Sequence, residues 1–148
     1  MLSNKAKYGL KALLYLAEHG DGTPILIAEI AESEDISKKF LDAILLELRN
    51  AGLVGSKKGR GGGYFLAKPT DQIFIGTVIR VLDGPIAPIP CASRTAYRPC
   101  DDCGSVQECA IRGLMLDVRD AMAAILDSTT LAALHARGKA AQTLMYYI

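Results

Sequence analysis

The chain has 148 residues, 50% of them hydrophobic and 22% charged, enough to bury the core of one domain or of one small domain with an appended element. Tryptophan is absent, aromatics make up 6%, and Ala and Leu are frequent, which disfavours a long all-β architecture. The formal net charge of +1 is unevenly spread: Ile36 to Thr70 carries seven cationic side chains against two acidic ones, and the rest of the chain ten against fourteen. That asymmetry is the electrostatic footprint to look for in a nucleic-acid binder. No apolar run approaches the roughly 20 residues of a membrane span. Met1 to Tyr15 lacks a signal-peptide layout, because Lys5, Lys7 and Lys11 run into its apolar positions, so a cytoplasmic protein is expected.

In chain order, residues 3–19 read as a helix capped by Ser3, with Leu10, Leu13, Leu14 and Ala17 at helical spacing. His19-Gly20-Asp21-Gly22 ends it. Residues 25–33 read as a short second helix with Ile27, Ile30 and Ala31 inward, followed by a turn at Glu34-Asp35-Ile36. Ser37 caps a predicted third helix through Asn50, whose apolar stripe is Phe40, Leu41, Ile44, Leu45 and Leu48; Gly52 lies just past its end. From Leu53 to Ala67 two short apolar runs flank a glycine-rich basic connection, which predicts a β-hairpin with a flexible tip. The glycine run is neither G-x-G-x-x-G opening a helix nor a Walker loop, which disfavours a nucleotide site.

Helix, helix, turn, helix, hairpin is the winged helix-turn-helix order, in which the third helix enters a major groove and the hairpin is the wing. The expected fold is therefore mainly α with a small β-hairpin wing and a long C-terminal dimerisation helix. A fourth helix is predicted over 75–83, closed by Asp83-Gly84-Pro85. A long helix from about Ala110 to Asp127 carries Ile111, Leu114, Met115, Val118, Met122, Ile125 and Leu126, close to a heptad seam. A helix of that length, about 27 Å at roughly 1.5 Å per residue, lying beyond a complete small winged domain suits a dimer contact. Thr129 to Ala136 predicts a short final helix, and the apolar end Leu144 to Ile148 is expected to pack on the dimer or to fray. The expected organisation is 1–84 as the DNA-binding domain, 85–109 as a cysteine-rich loop, and 110–148 as dimerisation helix and tail.

All four cysteines of the chain fall within nineteen residues: Cys91, Cys100, Cys103 and Cys109. Their segment is poor in aliphatic residues and rich in turn formers, so a shared ligand explains them better than packing. Structural disulfides need an oxidising compartment, which leaves metal or iron–sulfur ligation as the leading reading and transient thiol chemistry as its rival. The spacing matches neither a zinc ribbon nor the common ferredoxin patterns. Zinc held by Cys100-x2-Cys103, or a reversible disulfide between them, is the alternative. An enzyme using a reactive Cys is disfavoured: His19 and His135 are the only histidines, both at predicted helix ends away from the loop. Ser37, Lys38, Lys39 and Phe40 on the third helix, with Lys57, Lys58 and Arg60 on the wing, are the candidate DNA contacts.

The stretches Lys7 to Ala17, Ile36 to Leu41, Leu48 to Val54 and Gly59 to Ala67 resemble the Rrf2 family of bacterial transcription regulators. The resemblance implies a homodimer that binds a pseudo-palindromic double-stranded DNA operator, often as a repressor. It also implies an iron–sulfur cluster, 2Fe–2S or 4Fe–4S, on cysteines of the loop before the dimer helix, sensing iron, redox state or nitric oxide. The family's usual loop has three cysteines and this one has four; Cys91, Cys103 and Cys109 stand nearest the family positions and Cys100 is extra, or replaces Cys103. A histidine ligand used by one subgroup, three residues past the last cysteine, is Arg112 here.

Overall fold

A computed structural model describes residues 2–147. Six α-helices and one two-stranded antiparallel sheet follow the predicted order. Helix α1 (Asn4–His19) begins at Ser3, whose Oγ accepts from the Ala6 N–H at 3.0 Å. Helix α2 (Ile27–Glu34) ends at Asp35, which adopts the left-handed conformation (φ 53°) that a short polar side chain tolerates. Helix α3 (Lys38–Asn50) is capped by Ser37 as expected. Strands β1 (Val54–Lys57) and β2 (Gly63–Leu66) form the wing, in the register Val54 with Leu66 through Lys57 with Gly63.

Leu41, Ile44, Leu45 and Leu48 of α3 are fully buried against Leu13 of α1 and Ile30 of α2 within one core. Burying each such side chain contributes about 1.5–3 kcal/mol, which holds α3 by one face and leaves its N-terminal turn free. Phe40 departs from the expected stripe: it is 38% exposed and rests edge-on against Tyr8, ring centroids 5.8 Å apart. It sits one position before Leu41, at the margin of the buried face.

The wing is fastened as well as paired. Ile25 and Tyr64 exchange two backbone hydrogen bonds of 2.8 Å, adding a single bridge beside β2. Gly63 makes this possible. Its φ is +147°, and a Cβ there would stand 2.3 Å from the Ile25 carbonyl oxygen.

Helix α4 (Ile75–Asp83) matches its predicted span, and α5 (Ala110–Ser128) nearly so. The last helix does not. It runs from Leu131 to Tyr146, capped by Thr130, where a short helix ending at Ala136 is expected from the sequence. Ala132, Ala133, Ala136, Ala140 and Ala141 keep helix propensity high enough to carry the chain through Gly138. Ile148, the end of the apolar tail, lies outside the described residues. The α5–α6 corner is tied to the start of α4: Ile75 N–H donates to Thr129 C=O (2.9 Å) and Leu131 N–H to Ile73 C=O (2.7 Å). Leu131 itself is fully buried in the main core. Among the described residues no helix is long and apolar enough to cross a membrane.

Replacing Gly63 by Ala should lower folding stability by about 1–3 kcal/mol through backbone strain and the Ile25 clash. Urea unfolding of the two proteins reads this; an unchanged midpoint would mean that the Ile25 segment moves aside freely.

Candidate nucleic-acid interface and cysteine loop

The N-terminal turn of α3 and the wing carry the predicted cations. Lys38, Lys39, Lys57, Lys58 and Arg60 are all exposed, and none belongs to an ion pair among the described residues. By contrast Lys5 is paired with Glu47 (2.7 Å) and Lys11 with Glu34 (3.5 Å). Ser37 Oγ accepts from the Phe40 N–H at 3.5 Å, a long cap bond that leaves the hydroxyl able to donate outward. Arg49, not singled out from the sequence, is exposed near the end of α3 and donates to Ser56 Oγ on β1 at 3.1 Å, linking helix to wing.

The second region is the connection from Gly84 to Cys109, whose one regular piece is a 3-10 turn at Pro90–Ala92. The turn buries Cys91 (5% exposed), while Cys100 and Cys103 are exposed and Cys109 is half-buried. The loop folds back on itself through backbone groups. Pro90 C=O accepts from Ser93 N–H (3.2 Å) and from Arg98 N–H (3.3 Å), and Ser93 Oγ accepts from Ala96 N–H (3.0 Å). This return carries Cys100 over the turn, with its Sγ 3.8 Å from Cys91 Sγ. The Cys91 thiol beside it pushes the Cys100 thiol above its ordinary pKa, through their hydrogen bond first and charge second. Cys109 caps α5, its Sγ accepting from the Arg112 N–H at 3.4 Å.

Four soft thiols suit zinc or an iron–sulfur centre in donor chemistry. Two thiolates bound to one tetrahedral ion at about 2.3 Å stand about 3.8 Å apart, the separation of Cys91 and Cys100. The geometry gathers only those two: among the described residues no group of three or more His, Cys, Asp or Glu side chains is assembled to hold a metal ion.

Arginines fix this loop to α5. Arg112 Nε donates to the Cys91 carbonyl at 2.9 Å, and the same guanidinium lies 5.9 Å from the Tyr97 ring centroid. Arg94 grips Asp120 with two bonds, 2.9 and 2.6 Å, and Arg119 joins them at 2.7 Å. Arg94 first, then Arg119, holds the Asp120 carboxyl well below the usual carboxylate range. Seven residues along α5, Asp127 is gripped by Arg80 of α4 at 2.6 and 3.0 Å, which lowers its pKa in the same way. These contacts were not legible in the sequence, which offers no pattern pairing Arg94 with Asp120 or Arg80 with Asp127. The position of Arg112, three residues beyond Cys109, was the one available signal.

On α5 itself Ile111 (66% exposed), Leu114 (58%), Val118, Met122 and Ile125 (62%) form a solvent-facing apolar row at helical spacing. Ala123 is the one buried residue of the helix.

This architecture defines a winged helix-turn-helix protein with an added helix and a thiol-bearing loop. The Rrf2 family model, described as an iron-dependent transcriptional regulator, matches residues 2–137. An rrf2-like protein of the HTH transcriptional-regulator type from Rhodobacter capsulatus is 44% identical over 148 residues, spanning 98% of this chain and 99% of that one. The solved structure of CymR, the global cysteine regulator of Bacillus subtilis, superposes with a TM-score of 0.77 at 37% identity, covering 93% of this chain and 97% of that one. The structure of T. potens IscR superposes at 0.74 and 32% identity, covering 96% and 90%. The chain belongs to the Rrf2 family of transcriptional regulators.

If Arg112 holds the Cys91 turn in place, Arg112→Ala should alkylate at Cys91 about tenfold faster under native reducing conditions, the effect of losing one charge-assisted hydrogen bond. Cys103 serves as the internal reference and should not change. Equal Cys91 rates in the two proteins would remove Arg112 from that role.

Proposed function

We propose that the protein is a homodimeric repressor that binds a pseudo-palindromic operator, with its affinity set by what the loop cysteines hold. The observation that carries this reading is the set of exposed, unpaired cations on the α3 N-terminal turn and the wing. In this reading residues 1–84 bind DNA, 85–109 sense the signal and 110–148 pair the subunits, in the cytoplasm. Lys38 and Lys39 approach phosphates or base edges in the major groove, with Ser37 and Phe40 beside them. Lys57, Lys58 and Arg60 neutralise phosphates and supply the salt-dependent part of the affinity. The apolar row on α5 meets its symmetry mate, so two recognition helices are presented to two half-sites.

The loop cysteines would hold an iron–sulfur cluster, with Cys91 and Cys100 as one edge of the ligand set and Cys103 and Cys109 drawn in to complete it. The iron-dependent description of the family supports this reading. When bound, the cluster supplies a centre whose loss or oxidation reports iron supply, redox state or nitric oxide. The protein's own part is positional. Arg112 and Arg94 hold the loop on α5, and Arg80 holds α5 on α4, so a change in the loop biases the angle between the winged unit and the dimer helix. The contact of Cys91 with Cys100 favours a second reading, a colourless thiol or zinc switch on the same frame.

Absorption spectroscopy with iron and sulfide analysis on anaerobically purified protein separates the two. Brown protein with acid-labile sulfide is expected; colourless protein after anaerobic reconstitution would leave the thiol or zinc reading. Lys58→Ala and Arg60→Ala should each reduce the slope of log K against log salt by about one. An unchanged slope and affinity would take the wing out of the interface. Leu114→Glu should convert the dimer to a monomer in sedimentation velocity, and a dimer that persists would place the subunit contact elsewhere.

A further inference from the structure

We propose that Cys91 and Cys100 form a reversible disulfide when the loop holds no metal, closing a ring around residues 92–99 and withdrawing two thiolates from any ligand set. This deepens the reading of the loop as the sensory element and rests on it.

The sulfurs are 3.8 Å apart, so a bond of about 2.05 Å requires an approach of under 2 Å. The two ends differ in freedom. Cys91 is buried in its 3-10 turn, and Arg112 fixes its carbonyl. Cys100 is exposed on a stretch without regular structure, Tyr97 to Cys100, and can move toward it. The backbone bond from Arg98 N–H to Pro90 C=O already brings the two positions together, so the entropy of closing the ring is largely met by the fold. Sequence spacing points instead to Cys100 and Cys103, which share a turn through a 3.4 Å backbone bond; yet the thiol that Cys100 contacts is Cys91.

The oxidant is a peroxide. The accessible Cys100 thiol gives up its proton as its sulfur attacks one peroxide oxygen, the O–O bond breaks, and the departing hydroxide takes up that proton as water. Cys100 is then a sulfenic acid. The Cys91 sulfur attacks the Cys100 sulfur, the S–O bond breaks, and a second water leaves with the Cys91 proton. Two thiols have lost two electrons and two hydrogens, and one peroxide has become two waters. A dithiol reductant reverses the bond by exchange.

The test uses the full chain, reduced and chelator-treated without oxygen, then exposed to one equivalent of hydrogen peroxide, alkylated and digested with trypsin. Cleavage after Arg94 separates Cys91 from the other three cysteines, so a linked peptide pair reports Cys91 and fragmentation locates its partner. The expected product is Cys91 joined to Cys100, formed equally in Cys103→Ala and lost in Cys100→Ser, an exposed substitution that spares the core. Linkage of Cys100 to Cys103, linkage between subunits, over-oxidised Cys100 beside a free Cys91 thiol, or no oxidation would each overturn the assignment. The same oxidised protein is titrated with a duplex recovered by the reduced protein from a random-sequence pool. A Cys91–Cys100 disulfide with the same DNA affinity in the oxidised, the reduced metal-free and the reconstituted protein would defeat the sensory reading of the loop while leaving the disulfide assignment standing.

Discussion

The arrangement of this protein depends on one backbone junction, where residues 73–75 meet residues 129–131. Two hydrogen bonds and the buried side chain of Leu131 bind the α5–α6 corner into the core of the winged unit. Leaving those buried amides unmatched would cost about 1–3 kcal/mol each. Because the corner is fixed, α5 must leave the winged unit on a set course. Its position is then refined by Arg80 on Asp127 and, two turns back, by Arg94 on Asp120. One helix thus receives a contact from α4 of the winged unit and another from the cysteine loop.

The two grips are of a different kind from the core. Both aspartates and both arginines are partly exposed, so each pair contributes little to global stability and is screened by salt. A loop held by polar contacts can be released without unfolding the domain beneath it, which is what the proposed sensory role of the loop requires. The proposed DNA-facing side follows the opposite logic. Four fully buried side chains hold α3, and the Ile25–Tyr64 bridge holds the wing, so Lys38, Lys39, Lys57, Lys58 and Arg60, without ion pairs among the described residues, are displayed from a stiff base.

Much of this was readable in the chain. The α3 periodicity, the Ser37 cap and the Gly-rich hairpin are local signals, and each survives in the structure. Phe40 was misplaced because a stripe of five apolar residues is wider than the face that is buried, and burial goes to the four positions that join the core cluster with Leu13 and Ile30. The length of α6 escaped because the helix beyond Leu131 has almost no apolar face; alanine propensity, not amphipathicity, extends it. The cysteine cluster was evident from counting, but its internal geometry was not. Which thiol meets which depends on Pro90, Arg98 and Arg112, three residues that acquire their roles only once the loop has folded back and α5 has been placed. Long-range polar pairs such as Arg94–Asp120 leave no periodic trace at all.

The central claim is that the loop and the DNA-binding surface are coupled. The most direct test is the affinity of the protein for a selected duplex, measured anaerobically on one preparation before removal of iron and sulfide, after removal, and after reconstitution. A reversible shift of about tenfold or more, corresponding to a coupling of about 1.4 kcal/mol, is the expected result. Identical affinities in the three states, with iron and sulfide demonstrably present in the first, would contradict it.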